Sequence, residues 1–193
     1  MKKENIKSKI PPIVQKGEKV LEDKALPIKD EEFGSPKINE IIKDMRRALH
    51  SQVDGIAIAA PQIGIAKKIF IINGDLLSQA DATYDGPKED LVFINPKILK
   101  LSKEKRSMEE GCLSVRWKYG VTKRSVRATI SYRDEKGVKK ERGGSGIMAQ
   151  IFQHEIEHLD GVLFTDHAEE VWDMSKEEIE EIERRNNGID LKI

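Results

Sequence analysis

Three residues within one short run could hydrolyse a bond with the help of a metal ion. They are His154, Glu155 and His158 in Gln153-His154-Glu155-Ile156-Glu157-His158-Leu159-Asp160-Gly161, an H-E-x-x-H pattern. On a helix, two histidines four residues apart project from the same face, one turn apart, so both imidazoles can reach one ion. Glu155, next to the first histidine, can then reach a water at an open coordination position. The bland alternative is a core helix that happens to carry two histidines. The surroundings are apolar: Ile147, Met148, Ala149, Ile151 and Phe152 precede the pattern, and Leu159, Val162, Leu163 and Phe164 follow. A helix in that setting is largely buried and holds its ligands rigidly.

The rest of the chain must position this helix. Its 193 residues suggest one domain with a sizeable core. Lysine plus arginine and aspartate plus glutamate number 34 each, so the formal net charge is zero. That balance gives no global attraction to nucleic acid or to an anionic membrane, and no DNA partner is expected. No run approaches the roughly 20 apolar residues of a membrane span. Met1-Lys2-Lys3-Glu4-Asn5 is not followed by the apolar core of a secretory leader. The single cysteine, Cys112, excludes an intrachain disulfide, and cytoplasmic residence is the expectation.

Residues 1–12 read as a polar N-terminal arm, 13–174 as the catalytic domain and 175–193 as a C-terminal helix and tail. Ile13-Val14-Gln15 reads as a short strand or lead-in, and 16–34 as loop. Ser35 and Pro36 open a helix that runs to about Val53, with Ile38, Ile41, Ile42, Met45, Ala48, Leu49 and Val53 as its apolar stripe. His50 lies off that stripe and reads as a solvated helix histidine. Strands are expected at Lys68–Asn73, at Leu91–Asn95 with Pro96 ending it, at Ile98–Leu101, and through Val126, Ala128, Ile130 and Tyr132. Residues 74–90 read as a long surface loop. Asp134-Glu135-Lys136-Gly137 reads as a hairpin turn, with Val138–Arg142 returning. Gly143-Gly144-Ser145-Gly146 reads as a flexible joint into the H-E-x-x-H helix. A last helix spans about Lys176 to Asn186, capped by Ser175 with Glu178 and docked through Ile179 and Ile182.

A catalytic metal site usually has three protein ligands and one open position. The third ligand here is another histidine such as His167, a carboxylate, or Cys112. A thiolate is a strong soft ligand, and Gly111 would let the chain approach an ion; a lone cysteine is also a small buried hydrophobe.

Three segments together resemble the peptide deformylase family, whose patterns G-x-G-x-A-A-x-Q, E-G-C-L-S and Q-H-E-x-D-H-L come in this order. Here they stand as Gly55-Ile56-Ala57-Ile58-Ala59-Ala60-Pro61-Gln62, Glu110-Gly111-Cys112-Leu113-Ser114, and Gln153 to Leu159. The similarity runs from about residue 10 to about residue 175. There are three departures: Ala57 for the second glycine, Glu157 for an aspartate, and Arg116 where proline is usual.

The resemblance implies a single-domain α+β fold, with small antiparallel or mixed sheets packed around a central metal-binding H-E-x-x-H helix. It implies removal of the formyl group from N-formylmethionine on nascent peptides. Cys112, His154 and His158 would hold one divalent metal ion: Fe2+ in the cell, with Zn2+, Ni2+ or Co2+ able to substitute. Glu155 would move the proton, and the Gln62 amide and the Leu113 N–H would stabilise the developing oxyanion. Ala57, Glu110, Gly111, Ile147 and Ile151 would bind substrate; both isoleucines fall on nearly the same helix face as His154, although core packing explains them equally well. Gln153 and Glu157 read as supporting residues. A weak, transient ribosome contact is the further partner considered.

Two other readings fit parts of this pattern. A zinc peptidase of the H-E-x-x-H class would need a third histidine or a downstream glutamate, for which Glu169 or Glu170 in a charged segment is the weak candidate, and it leaves E-G-C-L-S unexplained. A binding protein of this fold without turnover would be expected to have lost Gln62, Cys112 or Glu155.

Overall fold

In the computed structural model, which describes residues 10–188, eight strands and four helices are built around one helix. Helix α1 (Pro36–His50) starts where Ser35 accepts a hydrogen bond from Ile38 N–H, with Pro36 at the first helical position. Strands β1 (Ala57–Ala59), β2 (Ile69–Ile72) and β3 (Leu91–Leu101) follow, with helix α2 (Gly74–Ala80) between the last two. Next come β4 (Lys105–Gly111), β5 (Lys118–Ser125), β6 (Arg127–Arg133) and β7 (Lys139–Ser145). Helix α3 (Gly146–Leu159), β8 (Glu170–Asp173) and α4 (Lys176–Asn187) complete the order.

The strands form two sheets, in the orders β1-β2-β3-β6-β7 and β4-β5-β8, and every pairing within them is antiparallel. Strand β2 is buried on both faces. Because strand side chains alternate, Ile69 and Ile71 join α1 in one core while Phe70 and Ile72 join α3 in the other. The five-stranded sheet is thus a layer between two helices. Phe70, Phe93 and Phe152 meet across the α3 side, with Phe70 and Phe93 stacked at 4.5 Å. Helix α3 also contacts β5 of the smaller sheet, so the H-E-x-x-H helix lies between the two sheets. The expected α+β fold around this helix is what the chain adopts.

Several local expectations need correction. Residues 74–90 are not all loop. Asn73 accepts hydrogen bonds from Asp75 and Leu76 N–H and starts α2. Pro96 does not end β3: a register shift between Ile94 and Lys97 takes up the residue that lacks an N–H, and the strand continues to Leu101. Asn95, at φ 51°, closes this bulge by pairing its side-chain amide with both backbone groups of Ile28. Gly143, Gly144 and Ser145 are the end of β7 rather than a flexible joint. A Cβ on Gly144 would come within 2.5 Å of Met148, so glycine there lets α3 fold directly back over its own strand. Helix α1 stops at His50, short of Val53. His50 is not simply solvated, since its Nε2 lies 3.0 Å from the Asp90 carboxylate. Ile13-Val14-Gln15 forms no strand, although Val14 N–H donates to Gln62 O. Residues 16–34 carry two single 3-10 turns, and residues 1–9 of the expected arm and 189–193 of the tail lie outside the described residues. Among the described residues no helix is long and apolar enough to cross a membrane.

Candidate metal centre and active site

Cys112 is the first residue after β4, and His154 and His158 lie on the face of α3 that this strand end approaches. Cys112 Sγ is 3.1 Å from His158 Nε2, and one donor atom from each of the three residues lies within 4.8 Å of the other two. A thiolate with two imidazoles is a donor set suited to a divalent transition ion. His154 turns its Nδ1 to Glu110 Oε2 at 3.1 Å, which leaves Nε2 for an ion. Burial pushes the Cys112 thiol up, but the charge of His158 and the hydrogen bonds from both histidines outweigh it and bring its pKa to about 5. Cys112 is therefore poised as thiolate, the form that binds metal. The same contacts act in reverse on His154. Burial lowers its pKa, and the hydrogen bonds to Cys112 and Glu110 raise it further than burial depresses it.

Behind the candidate ligands lies a chain of charged groups, buried at Glu110 and Arg124 and reaching the surface at His167, that the sequence did not reveal. Glu110 receives both Arg124 Nε at 2.5 Å and Arg124 Nη2 at 2.8 Å. Arg124 Nη1 reaches Glu157 Oε1 at 2.5 Å, and Glu157 Oε2 meets His167 Nε2 at 3.1 Å. Burial raises the Glu110 pKa, but Arg124 and His154 together hold it well below the usual carboxylate range. Glu110 borders the cavity as expected, yet its carboxylate is occupied by Arg124 and His154. Phe164 stacks on the His154 ring at 6.3 Å. Gln153 grips β5, its amide bonding Ser125 N–H and Ser125 O at 3.0 Å each.

On the open side, Cys112 and His154 border a cavity of about 240 Å³, with His158 buried behind them. Glu155 lines it, 4% exposed, and its Oε2 has no protein partner among the described residues. Burial raises the Glu155 pKa, and the neighbouring His154 and His158 charges only partly oppose that. Gln62, from a 3-10 turn after β1, uses Oε1 to accept Ala59 N–H at 2.7 Å. That contact turns its Nε2 toward Cys112 Sγ, 3.6 Å away. Leu113, Ala57, Gly111, Ile147 and Ile151 line the same cavity. So do Arg116, Trp117, Tyr119 and Met174, which sequence reasoning did not place there. His167 and Glu169, considered earlier as ligands, are engaged elsewhere, His167 with Glu157 and Glu169 with Lys123 and Ser107. Glu170 is an exposed residue of β8.

A cavity lined by a thiol, an imidazole, a buried carboxylate and an oriented amide, with a second imidazole directly behind the thiol, defines a hydrolase built on a metal-ion site. The family comparison makes this specific. The family model described as polypeptide deformylase matches residues 10–173. A peptide deformylase of Salinibacter ruber is 35% identical over 160 residues, which is 81% of this chain and 79% of the relative. One from a Picosynechococcus strain is 38% identical over 153 residues, 79% of this chain and 76% of the relative. Among solved structures, the actinonin-bound class I type b peptide deformylase of Acinetobacter baumannii superposes with a TM-score of 0.72 at 32% identity. That match covers 83% of this chain and 99% of the other. The chain belongs to the polypeptide deformylase family, and it removes the formyl group from the N-terminus of newly made peptides.

Proposed function

We propose that Cys112, His154 and His158 hold one divalent metal ion, with Glu155 as the proton carrier of the deformylation. The observation that carries this is the convergence of three ligand atoms beside a buried, unpartnered carboxylate at the closed end of the cavity. When bound, the ion supplies a Lewis acid that makes water a nucleophile near neutral pH. Glu155 takes the proton from the attacking water and delivers it to the amine leaving the formyl carbon, so formate and a free amino terminus result. Its raised pKa suits a group that must both accept and give a proton. Negative charge grows on the formyl oxygen, and Gln62 Nε2 and Leu113 N–H donate to it. Removing one such donor typically costs about 10²–10³ in rate. Gln62 is pre-oriented for this, because Ala59 already holds the other end of its amide. The methionine side chain enters the part of the cavity lined by Ile147 and Ile151, and Ala57 and Gly111 border the peptide backbone.

Ferrous iron is the ion we assign in the cell, with zinc, nickel or cobalt able to replace it. We assign the chain to the cytoplasm, where the free Cys112 thiol stays reduced. Residues 13–174 serve as the catalytic unit, and 175–193 as an appended helix and tail. The partners are nascent N-formylmethionyl chains, with at most a weak, transient ribosome contact.

The test is anaerobic purification, metal analysis and formate release from formyl-Met-Ala-Ser. Glu155→Gln should keep its metal and fold while turnover falls by at least about 10²-fold, the lower range for a general acid–base group. Formate release near the unmodified rate from metal-loaded Glu155→Gln would refute the assignment.

A further inference from the structure

Besides α3, two segments wall the cavity: Asp54, Gly55, Ile56 and Ala57, leading into β1, and the stretch from Glu109 to Tyr119, which carries Cys112. Arg116 spans them. Its Nη1 donates to Asp54 Oδ2 at 2.5 Å, and its Nη2 donates to Asp54 Oδ1 at 3.1 Å and to Gln52 Oε1 at 2.7 Å. The paired side chains are only 17% and 22% exposed, so this is not a loose surface contact. The guanidinium also lies 4.8 Å over the ring of Trp117, itself part of the cavity lining. The base of Arg116 is held as well: its N–H donates to Gln15 Oε1 at 3.3 Å, and Gln15 Nε2 donates to Leu113 O at 3.0 Å.

The first wall is also supported from α4. Val53 N–H, just beyond the end of α1, donates to Asn186 Oδ1 at 2.8 Å. Asn186 Nδ2 donates at 3.3 Å to the Gln52 oxygen that Arg116 also uses. Helix α4 has no fully buried residue, yet its last turn completes a hydrogen-bond network that runs to the cavity rim.

We propose that Arg116 is a positioning residue that sets the width of the substrate cleft, with Asn186 of α4 as its outer support. This rests on the reading of the cavity as the place where the formylated peptide lies. A peptide held between two walls is bound only while polar groups on both stay within hydrogen-bond reach, about 2.7–3.2 Å. Releasing the brace lets the walls part and weakens substrate binding. The reacting groups are held separately: Glu155 and both histidines by α3, and Gln62 by Ala59. The chemical step therefore survives loss of the brace. Proline, usual at this position in the family pattern, can make no such span. Lysine cannot replace arginine here, because a single ammonium does not present the planar fork that engages both Asp54 oxygens and Gln52.

The experiment uses the full chain, metal-loaded, with Arg116→Gln, Arg116→Lys and Asn186→Ala. Formate release from formyl-Met-Ala-Ser gives kcat and KM, and quenching of tryptophan fluorescence by Met-Ala-Ser gives product affinity without turnover. Arg116→Gln and Arg116→Lys should each raise KM and the Met-Ala-Ser dissociation constant about tenfold, with kcat within about twofold, as expected when about one substrate hydrogen bond is lost. Asn186→Ala should raise both by about two- to threefold and add little on the Arg116→Gln background, as groups in one network are not additive. Unchanged affinities in folded Arg116→Gln, a loss confined to kcat, or full rescue by Arg116→Lys would overturn the proposal. If Arg116→Gln does not fold, the affinity of Asn186→Ala decides. A parent chain whose affinity for Met-Ala-Ser depends on Arg116 but which releases no formate would refute the reading of the reaction and leave the brace standing.

Discussion

The residue that most changes meaning between sequence and structure is Glu110. Its neighbour Cys112 drew attention to it as a cavity residue, and it does line the cavity. Its carboxylate, however, orients His154 through Nδ1 and is itself fixed by Arg124. A carboxylate behind a metal-bound imidazole selects the tautomer and strengthens the ligand. Glu110→Gln should therefore lower metal affinity about 10–100-fold, measured by competition with a chelator. Affinity equal to the parent would show that His154 is oriented without it. Cys112 carries a second prediction. It is half-buried and held as thiolate, and the chain has no other cysteine to form a resolving disulfide. Sulfenic acid formed there proceeds to irreversible states. Activity of the iron-loaded protein should decay in air together with a mass increase on the Cys112 peptide. Full, air-stable activity with stoichiometric zinc would sink the iron assignment.

Among the elements, α1 shows how a feature off the apolar stripe still contributes. His50 Nε2 sits 3.0 Å from both Asp90 oxygens, and Arg46 Nε also reaches Asp90 at 3.4 Å. The hydrogen bond to Asp90 raises the His50 pKa despite partial burial and the nearby Arg46 charge. A histidine whose pKa is higher in the folded state stabilises that state fully below its unfolded pKa of about 6.5. The contribution is lost as pH rises through the folded value. His50→Gln should thus lower stability to urea at pH 5.5 and have a much smaller effect at pH 9; an equal loss at both would show that packing alone matters. The same elements show what a sequence can disclose. Helix α1, β2, β6, α3 and α4 announce themselves by apolar period or by caps at Ser35 and Ser175. Strands β4 and β5 do not. The buried positions of β5 include Thr122, Arg124 and Ser125, and of β4 only Glu110, residue types that ordinarily face water. Their burial depends on partners distant in the chain, above all the Arg124–Glu110 pair, which no local pattern encodes. His154, Glu155 and His158 were legible from their spacing on one helix, whereas Cys112 was singled out among the candidate third ligands only through the resemblance of Glu110–Ser114 to a family pattern. The brace from Arg116 to Asn186 was not, since its members are scattered from residue 52 to residue 186.

At the scale of the molecule, zero net charge conceals a marked separation. Residues 169–183 carry eight acidic residues against one base, Lys176. This segment holds β8 and most of α4, and the side chains of α4 are exposed or half-buried. Cations gather instead on the face of the larger sheet turned away from α3, where Lys97, Arg127 and Lys139 are all exposed. RNA phosphate would repel the C-terminal segment at short range, and the opposing cations lie on another face, so salt at physiological strength, with a Debye length of about 8 Å, screens one from the other. The helix therefore makes a poor ribosome anchor, while its inner end supports the substrate cleft. Truncation after Asp173 should leave co-sedimentation with ribosomes at moderate salt undiminished, yet raise KM for formyl-Met-Ala-Ser because Met174 of the cavity lining and Asn186 are both gone. Retention by ribosomes that survives moderate salt in the full chain and vanishes on truncation would instead make α4 an anchor, against its charge.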